Sequence, residues 1–393
     1  MTKGRSSAIV SRLCTGEDSG DSNGEGLDVG FTSVTIIGLG VIGGSMGLAL
    51  GRKRPGLRRV GVDFPPALAV ACELGMIDHA IPVDRFQQEW EGTDVVILAV
   101  PIASIVSWLS ILRHAVTPQM IVTDVGSTKR EIVRKAQELL PYPECFVGGH
   151  PMAGSERRGG RASDPYLFEN VTYVLTPTDI TSNRAYETVA ELATTLGAQV
   201  LTMHPEEHDR LAAVVSHLPQ LLAVNLVNFA ARHHEKDDRT LRLAAGGFRD
   251  MTRIASSPYE VWEDILRTNR DVILGVLEEF CKSLSDLRER LERDDLREAF
   301  EKAARSRLSI PRDTKGFLHP LYDILVAVED KPGVIARIST TLANAGLNIK
   351  DIEVLKVREG EGGSIRLALE SERDRQQALE LLRASGITCR ARD

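Results

Sequence analysis

The stretch SVTIIGLGVIGGSMGLALGR, residues 33–52, restricts the possible folds of this chain more than any other. An apolar run of strand type passes directly into a helical pattern. The join holds Gly38-x-Gly40-x-x-Gly43, with Val41 and Ile42 opening the helix. In such a join the first glycine permits a tight turn, and the second lets a pyrophosphate approach the backbone. The third lets helix pack on strand, leaving the anion over the helix N-terminus. A glycine-rich turn alone is a weak signal, but here a second strand pattern, RRVGVDF, follows and ends near Asp63. A carboxylate about 20 residues beyond the third glycine accepts hydrogen bonds from ribose hydroxyls and repels a 2′-phosphate. The pattern predicts a dinucleotide-binding α/β unit with NAD as cofactor. Arg58 and Arg59, just upstream, leave NADP open.

Two more apolar runs, DVVILAVP (94–101) and MIVTDVGSTK (120–129), alternate with helical patterns. Continuous apolar runs are expected of parallel strands buried on both faces. Ligands of such sheets sit outside the carboxyl ends of the strands. Val100, Pro101, Asp124, Ser127 and His150 should therefore gather around the cofactor. His150 lies in VGGHPMAGSE (147–156), flanked by residues that shape backbone and fill little space. That setting suits a histidine whose ring faces something bound.

Composition excludes several classes. A formal charge of −7 argues against nucleic acid as the main partner. Five scattered cysteines without a CxxC point to reduced thiols and a cytoplasmic location. The longest apolar run, 95–106, is too short to span a bilayer. Residues 15–30 are rich in Gly, Ser and acids, residues 1–14 are basic and acid-poor, and residues 1–30 read as a disordered segment. Residues 31–202 read as the nucleotide-binding domain, 203–306 as a helical domain, 307–319 as a proline-bearing linker and 320–393 as a small third domain.

The helical part opens with HPEEHDRLAAVVSHLPQLLAVNLVNFAARHH, with a kink expected at Pro219. His204, His208 and His217 invite a metal reading. Without cysteine or carboxylate at a zinc spacing, capping and polar roles fit better and no metal is expected. Further on, Ile273, Leu277, Phe280, Leu284, Leu287 and Leu291 step by 4, 3, 4, 3 and 4. Such a seam serves either intrachain packing or a subunit contact.

In order and spacing, GLGVIGGSMGLAL, DVGSTK, GGHPMAGSE, DRLAAVVSHLP and GGFRDMTRIASSPYEVW resemble the prephenate/arogenate dehydrogenases of tyrosine biosynthesis. The resemblance covers about residues 33–315. It implies a Rossmann-type nucleotide-binding domain followed by an all-α domain that forms a homodimer. It implies NAD-dependent oxidation and decarboxylation of prephenate, or of arogenate. His150 would accept the substrate hydroxyl's proton, with Ser127 beside it. Arg253 would hold a carboxylate, with Asp250 one helical turn earlier. His217, Glu156 and Trp262 match further pocket positions, the tryptophan being expected from the partner subunit. Many prephenate-using relatives carry a second histidine where this chain has Gln220, which leaves the keto or amino substrate open. Outside this family, another Rossmann dehydrogenase or a catalytically silent amino-acid sensor is the alternative. The pairing of HPMAGSE with SHLP argues against the first, and the intact His150, Ser127 and Arg253 argue against the second.

Residues 320–386 alternate strand, helix, strand, strand, helix, a ferredoxin-like α+β pattern. The segment resembles an ACT domain, with DKPG at its first strand–helix turn. That resemblance implies amino-acid binding near Asp330, Gly333 and Asn348, with tyrosine as the sensible effector. A degenerate domain that only dimerises is the other reading.

Overall fold

The computed structural model describes residues 30–154, 157–309, 321–329, 331–358 and 362–392. Two compact units divide the chain, residues 1–313 and 314–393. The expected boundary near 202 therefore falls inside the first unit.

That unit begins with β1 (Ser33–Ile37), α1 (Val41–Lys53), β2 (Arg58–Asp63), α2 (Pro65–Glu73), β3 (His79–Pro82) and β4 (Val95–Leu98). It continues with α3 (Ile102–Leu112), β5 (Ile121–Asp124), α4 (Arg130–Leu139), β6 (Phe146–Pro151), β7 (Thr172–Thr176), α5 (Asn183–Thr195) and β8 (Gln199–Thr202). The strands form one sheet in the order β3-β2-β1-β4-β5-β6-β7-β8. Alternate residues feed opposite layers: Ile36 and Ile97 join Met46, Leu50 and Val189 on one face, while Ile37 and Leu98 join Ile105, Leu109 and Ile132 on the other. Each such buried side chain stabilises the fold by about 1.5–3 kcal/mol. Parallel pairing holds from β3 to β6, but β7 runs antiparallel to β6. A parallel strand needs a crossover, usually helical. The β6–β7 connection contains only a short 3-10 turn at Gly160–Ala162 among its described residues, and the chain turns straight back.

The helical part comprises α6 (Pro205–Ala212), a π-helical turn (Ala213–His217), α7 (Leu218–His234), α8 (Gly246–Thr252), α9 (Tyr259–Thr268), α10 (Arg270–Glu292) and α11 (Arg297–Ser309). The break falls before Pro219, where the wider turn accommodates a residue without an N–H. By length and composition Pro205–His234 could cross a membrane. Its His208, Asp209, His217 and Gln220 are nevertheless buried within the unit, the arrangement of a core helix. Two carboxylates from this part cap helices of the sheet domain. Asp209 accepts from the backbone N–H groups of Lys129 (2.7 Å) and Arg130 (3.0 Å) at the start of α4. Asp264 accepts from Ala103 N–H (2.8 Å) at the start of α3. Each cap contributes about 1 kcal/mol and fixes the helical part against the sheet's carboxyl edge.

The second unit comprises β9 (Tyr322–Val328), α12 (Val334–Asn344), β10 (Asp351–Arg358), β11 (Gly362–Leu369), α13 (Glu372–Ala384) and β12 (Cys389–Arg392). Its antiparallel sheet has the order β10-β11-β9-β12, the ferredoxin-like arrangement with β12 completing the edge. Ile324, Val326, Leu342, Leu367 and Leu382 fill its core.

Candidate active site

The glycine turn does what its spacing predicts. Gly38 adopts φ +96°, and a Cβ there would lie 2.4 Å from Ala99 O. A Cβ on Gly43 would lie 1.9 Å from Gly38 O, so only glycine lets α1 pack this closely on β1. Gly40 caps α1, and nothing stands within 4 Å of where its Cβ would be. The cradle is open on the side a pyrophosphate would approach, and the chain fits a dinucleotide there. Asp63, at the end of β2, accepts from Leu39 N–H (2.7 Å) and Phe64 N–H (2.6 Å), which fixes its carboxylate beside the turn. Arg58 and Arg59 sit at the other end of that strand, about 17 and 13 Å away at some 3.3 Å per residue. Arg59 is also fully engaged, with Asp78 and the carbonyls of Gly47 and Gly75. That removes the sequence's reason for leaving NADP open. Val41 and Ile42 are half-buried in the first turn of α1; Val100 is half-buried and Pro101 exposed before α3.

Asp124 requires a correction. Its position at the end of β5 suggested contact with the cofactor, yet its carboxylate is wholly buried. It pairs with Lys129 Nζ and accepts from Gly126 N–H (2.7 Å) and Gly149 N–H (3.2 Å). Lys129, equally buried, donates also to Gly149 O (2.6 Å). Burial pushes both groups toward their neutral forms, each restrained by the other. The pair supports the strand that presents His150 and lies out of reach of a cofactor.

His150 is half-buried near the end of β6, while Ser127 stands half-buried in the turn between β5 and α4. Sequence reasoning set His208 aside after rejecting a metal, but its Nε2 lies 2.8 Å from His150 Nδ1. The rings meet edge to face, with centroids 5.0 Å apart. His208 Nδ1 in turn lies 2.8 Å from Asp209 Oδ1. Burial, then the repulsion that a proton on His208, the Lys129 ammonium and a proton on His217 would each exert, hold His150 well below the usual imidazole range, so its base form prevails near neutrality.

His217, in the π turn, is buried and held down to about 4, chiefly by burial. Its Nδ1 faces Asn269 Nδ2 at 3.3 Å, and that same amide donates to Asp209 O (2.8 Å). Since Asn269 donates, the His217 proton belongs on Nε2. Trp262, expected from a partner subunit, meets His217 edge to face at 6.1 Å within one chain, because α10, which follows α9 directly, packs on the π turn. Buried Gln220 donates to Ile254 O (3.0 Å), tying α7 to the turn that carries exposed Arg253. Asp250 is exposed one turn earlier, at the end of α8. Glu156 and Asp330 lie outside the described residues. In the second unit, Gly333 adopts φ +87° as the N-cap of α12, and Asn348 is exposed.

An open glycine cradle, a fixed carboxylate beyond it and a base-form imidazole at the same sheet edge define a dinucleotide-dependent dehydrogenase. Residues 46–202 match the prephenate dehydrogenase nucleotide-binding domain, 204–304 the prephenate dehydrogenase dimerization domain and 322–386 the ACT domain. The chain belongs to the prephenate dehydrogenase family, and it is an NAD-dependent oxidoreductase with a C-terminal ACT domain. It is 38% identical over 359 residues to the prephenate dehydrogenase of Bacillus subtilis (strain 168), covering 90% of this chain and 96% of that protein. Among solved structures, it is similar to prephenate dehydrogenase from Aquifex aeolicus in complex with hydroxyphenyl propionate and NAD+. There the TM-score is 0.67 at 32% identity, over 73% of this chain and all of that one. Synechocystis arogenate dehydrogenase is similar at TM-score 0.62 and 28% identity, over 71% of this chain and 100% of that one.

Proposed function

We propose that this chain oxidises and decarboxylates prephenate to 4-hydroxyphenylpyruvate in tyrosine biosynthesis. The observation that carries the reading is His150, an imidazole held in its base form at the sheet edge that also carries the glycine cradle. Held in the glycine cradle, NAD would supply the acceptor for the hydride that leaves substrate C4. His150 Nε2 takes the proton of the C4 hydroxyl as that oxygen becomes a carbonyl. The bond from the ring to its carboxylate then breaks. Carbon dioxide departs, its bonding pair enters the ring, and the ring becomes aromatic. His150 returns its proton to the phenolate oxygen, so the cycle neither gains nor loses one.

Ser127 orients the ring or the nicotinamide amide beside His150. Arg253 grips a substrate carboxylate with parallel hydrogen bonds, Asp250 engages that arginine between cycles, and Glu156 adds a further pocket group. Gly38, Gly40, Val41, Ile42, Gly43, Asp63, Val100 and Pro101 hold the dinucleotide. The protein acts in the cytoplasm as a homodimer, a reading supported by exposed Leu284, Leu287 and Leu291 in the later half of the seam. Tyrosine binds the second unit near Asp330, Gly333 and Asn348 and reports the end product.

Arogenate is a second reading, and one observation admits it. Nε2 of Gln220 spends one of its two N–H groups on Ile254 O, leaving the other N–H and the amide oxygen for further partners. The oxygen can accept from an ammonium group, and the N–H can donate to a keto group. The purified enzyme should reduce NAD with prephenate, and a parallel assay with arogenate ranks the two substrates. Failure with both defeats the reading.

A further inference from the structure

The contact between His150 and His208 has a direction that can be worked out atom by atom. Asp209 accepts two backbone N–H bonds from the start of α4, and its Oδ1 also meets His208 Nδ1 at 2.8 Å. A carboxylate only accepts, so His208 carries its proton on Nδ1. A neutral His208 then presents a lone pair at Nε2. The neighbouring nitrogen, 2.8 Å away, is His150 Nδ1, which must donate. A neutral His150 with its proton on Nδ1 has its free lone pair on Nε2, the nitrogen left to face a ligand. The opposite arrangement would put a second cation on His208, buried with Lys129 in the same small volume. We propose that His208, held by Asp209, is a positioning residue that fixes His150 in the tautomer whose Nε2 accepts the substrate's proton. The proposal rests on the reading of His150 as the base.

The setting makes this more than ordinary packing. His208 is only 2% exposed, and both ring nitrogens are used, each by a different partner. The charged and titratable groups packed around the two rings are Lys129 at the start of α4, Asp124 on β5, Asp209 on α6 and His217 in the π turn. Tyr173 on β7 packs beside Gly149. Among these, His208 alone reaches a ring nitrogen of His150 within hydrogen-bond distance. When His150 takes a proton during turnover, the His208 lone pair stabilises the imidazolium through the same bond. Which nitrogen of a histidine carries the proton is set by the bond that the other nitrogen makes.

The test uses the full-length enzyme. In ¹⁵N-histidine spectra of the parent without substrate, the His150 proton should lie on Nδ1; finding it on Nε2 overturns the proposal whatever the substrate proves to be. His208→Leu should lower kcat by about 10- to 100-fold, the usual range for losing a partner that orients a reactive imidazole. KM for prephenate and Kd for NAD should stay within about threefold, and the acid limb of the kcat/KM–pH profile should move to lower pH, because imidazolium loses its acceptor. His208→Gln places an amide oxygen near the lost Nε2 and should recover most of kcat. Three results sink the idea: an unchanged kcat and acid limb in His208→Leu, a loss that tracks Kd for NAD, or no recovery in His208→Gln. If the parent reduces NAD with neither prephenate nor arogenate, the functional reading fails instead, and the spectra still judge the tautomer.

Discussion

Each unit of this protein holds a cation against carboxylates, in opposite ways. In the first, Lys129 and Asp124 are completely buried, one ammonium against one carboxylate, with Gly149 O taking a second bond. In the second, Arg366 on β11 fans out to Asp323, Asp351 and Glu353, and the last two remain about half exposed. Partial burial is the largest single influence on the arginine and lowers its range, but Glu353, Asp351 and Asp323 together outweigh it and push the range upward. A compact ammonium suits a dry slot beneath a strand, while a planar guanidinium can serve several acceptors at a sheet face. Two of the three carboxylates in the second cluster stay open to solvent, whereas both members of the first pair are sealed from it. A broken partner should therefore cost far more beneath His150 than on β11.

The largest effect should come from the residue that the buried pair supports. His150→Asn should lower kcat by about two to four orders of magnitude with Kd for NAD little changed; Arg366→Met should leave kcat alone. Near-normal turnover in the first variant would end the assignment of His150 as base. Next in size is the buried pair itself. Lys129→Met leaves Asp124 buried without its cation and should destabilise the first unit by about 3–5 kcal/mol in urea unfolding. Arg366→Met should cost the second unit less, about 1–2 kcal/mol, since Asp351 and Glu353 remain near solvent and only Asp323 is buried. Similar losses in both would show that burial does not separate the clusters.

The third difference is in pH. His217 is held near 4 in the folded protein, against about 6.5 when unfolded. As pH falls through this window the unfolded chain binds the proton first, so stability declines with it. The loss from this one group approaches about 3 kcal/mol below pH 4. Burial lowers His150 as well, which adds loss of the same sign. The second unit has a single histidine in its sequence, His319, ahead of β9, and none in residues 321–393, so it should hold its midpoint from pH 6.5 until its own carboxylates titrate. His217→Asn should flatten the decline in the first unit; an unchanged slope would show that other groups cause it.

Smallest is the coupling of the ACT domain to turnover. A chain ending near Leu318 should stay active and lose the part of tyrosine inhibition that is not competitive with substrate, worth about 1–3 kcal/mol. If the shortened and full-length enzymes share one competitive inhibition constant, tyrosine does not act through the second unit.

What could be read from sequence follows from distance along the chain. The glycine turn, Asp63 and the strand–helix alternation are local patterns, and the structure has them where the spacing puts them. So too with the antiparallel α+β unit, although its last strand, β12, follows the segment whose pattern could be read. Asp124 was misread because the end of a parallel strand is usually open to ligand, and nothing in the sequence says that Lys129, five residues on, folds back beneath it. Arg59 looked available to a phosphate until Asp78, Gly75 and Gly47 were found around it. His208 looked like one polar residue on a helix, for its partner His150 stands 58 residues away on a strand.

By itself, then, the sequence determined the dinucleotide cradle, the order of the domains and the identity of His150 as the residue to watch. Those depend on steric and hydrogen-bonding rules that act within a few residues. Tertiary structure alone decided which nitrogen of His150 is free, because that depends on a lone pair delivered by α6 to β6 across the sheet's edge. A proton on an imidazole is placed by its nearest acceptor in space, and only folding brings His208 and Asp209 to within 3 Å of their partners.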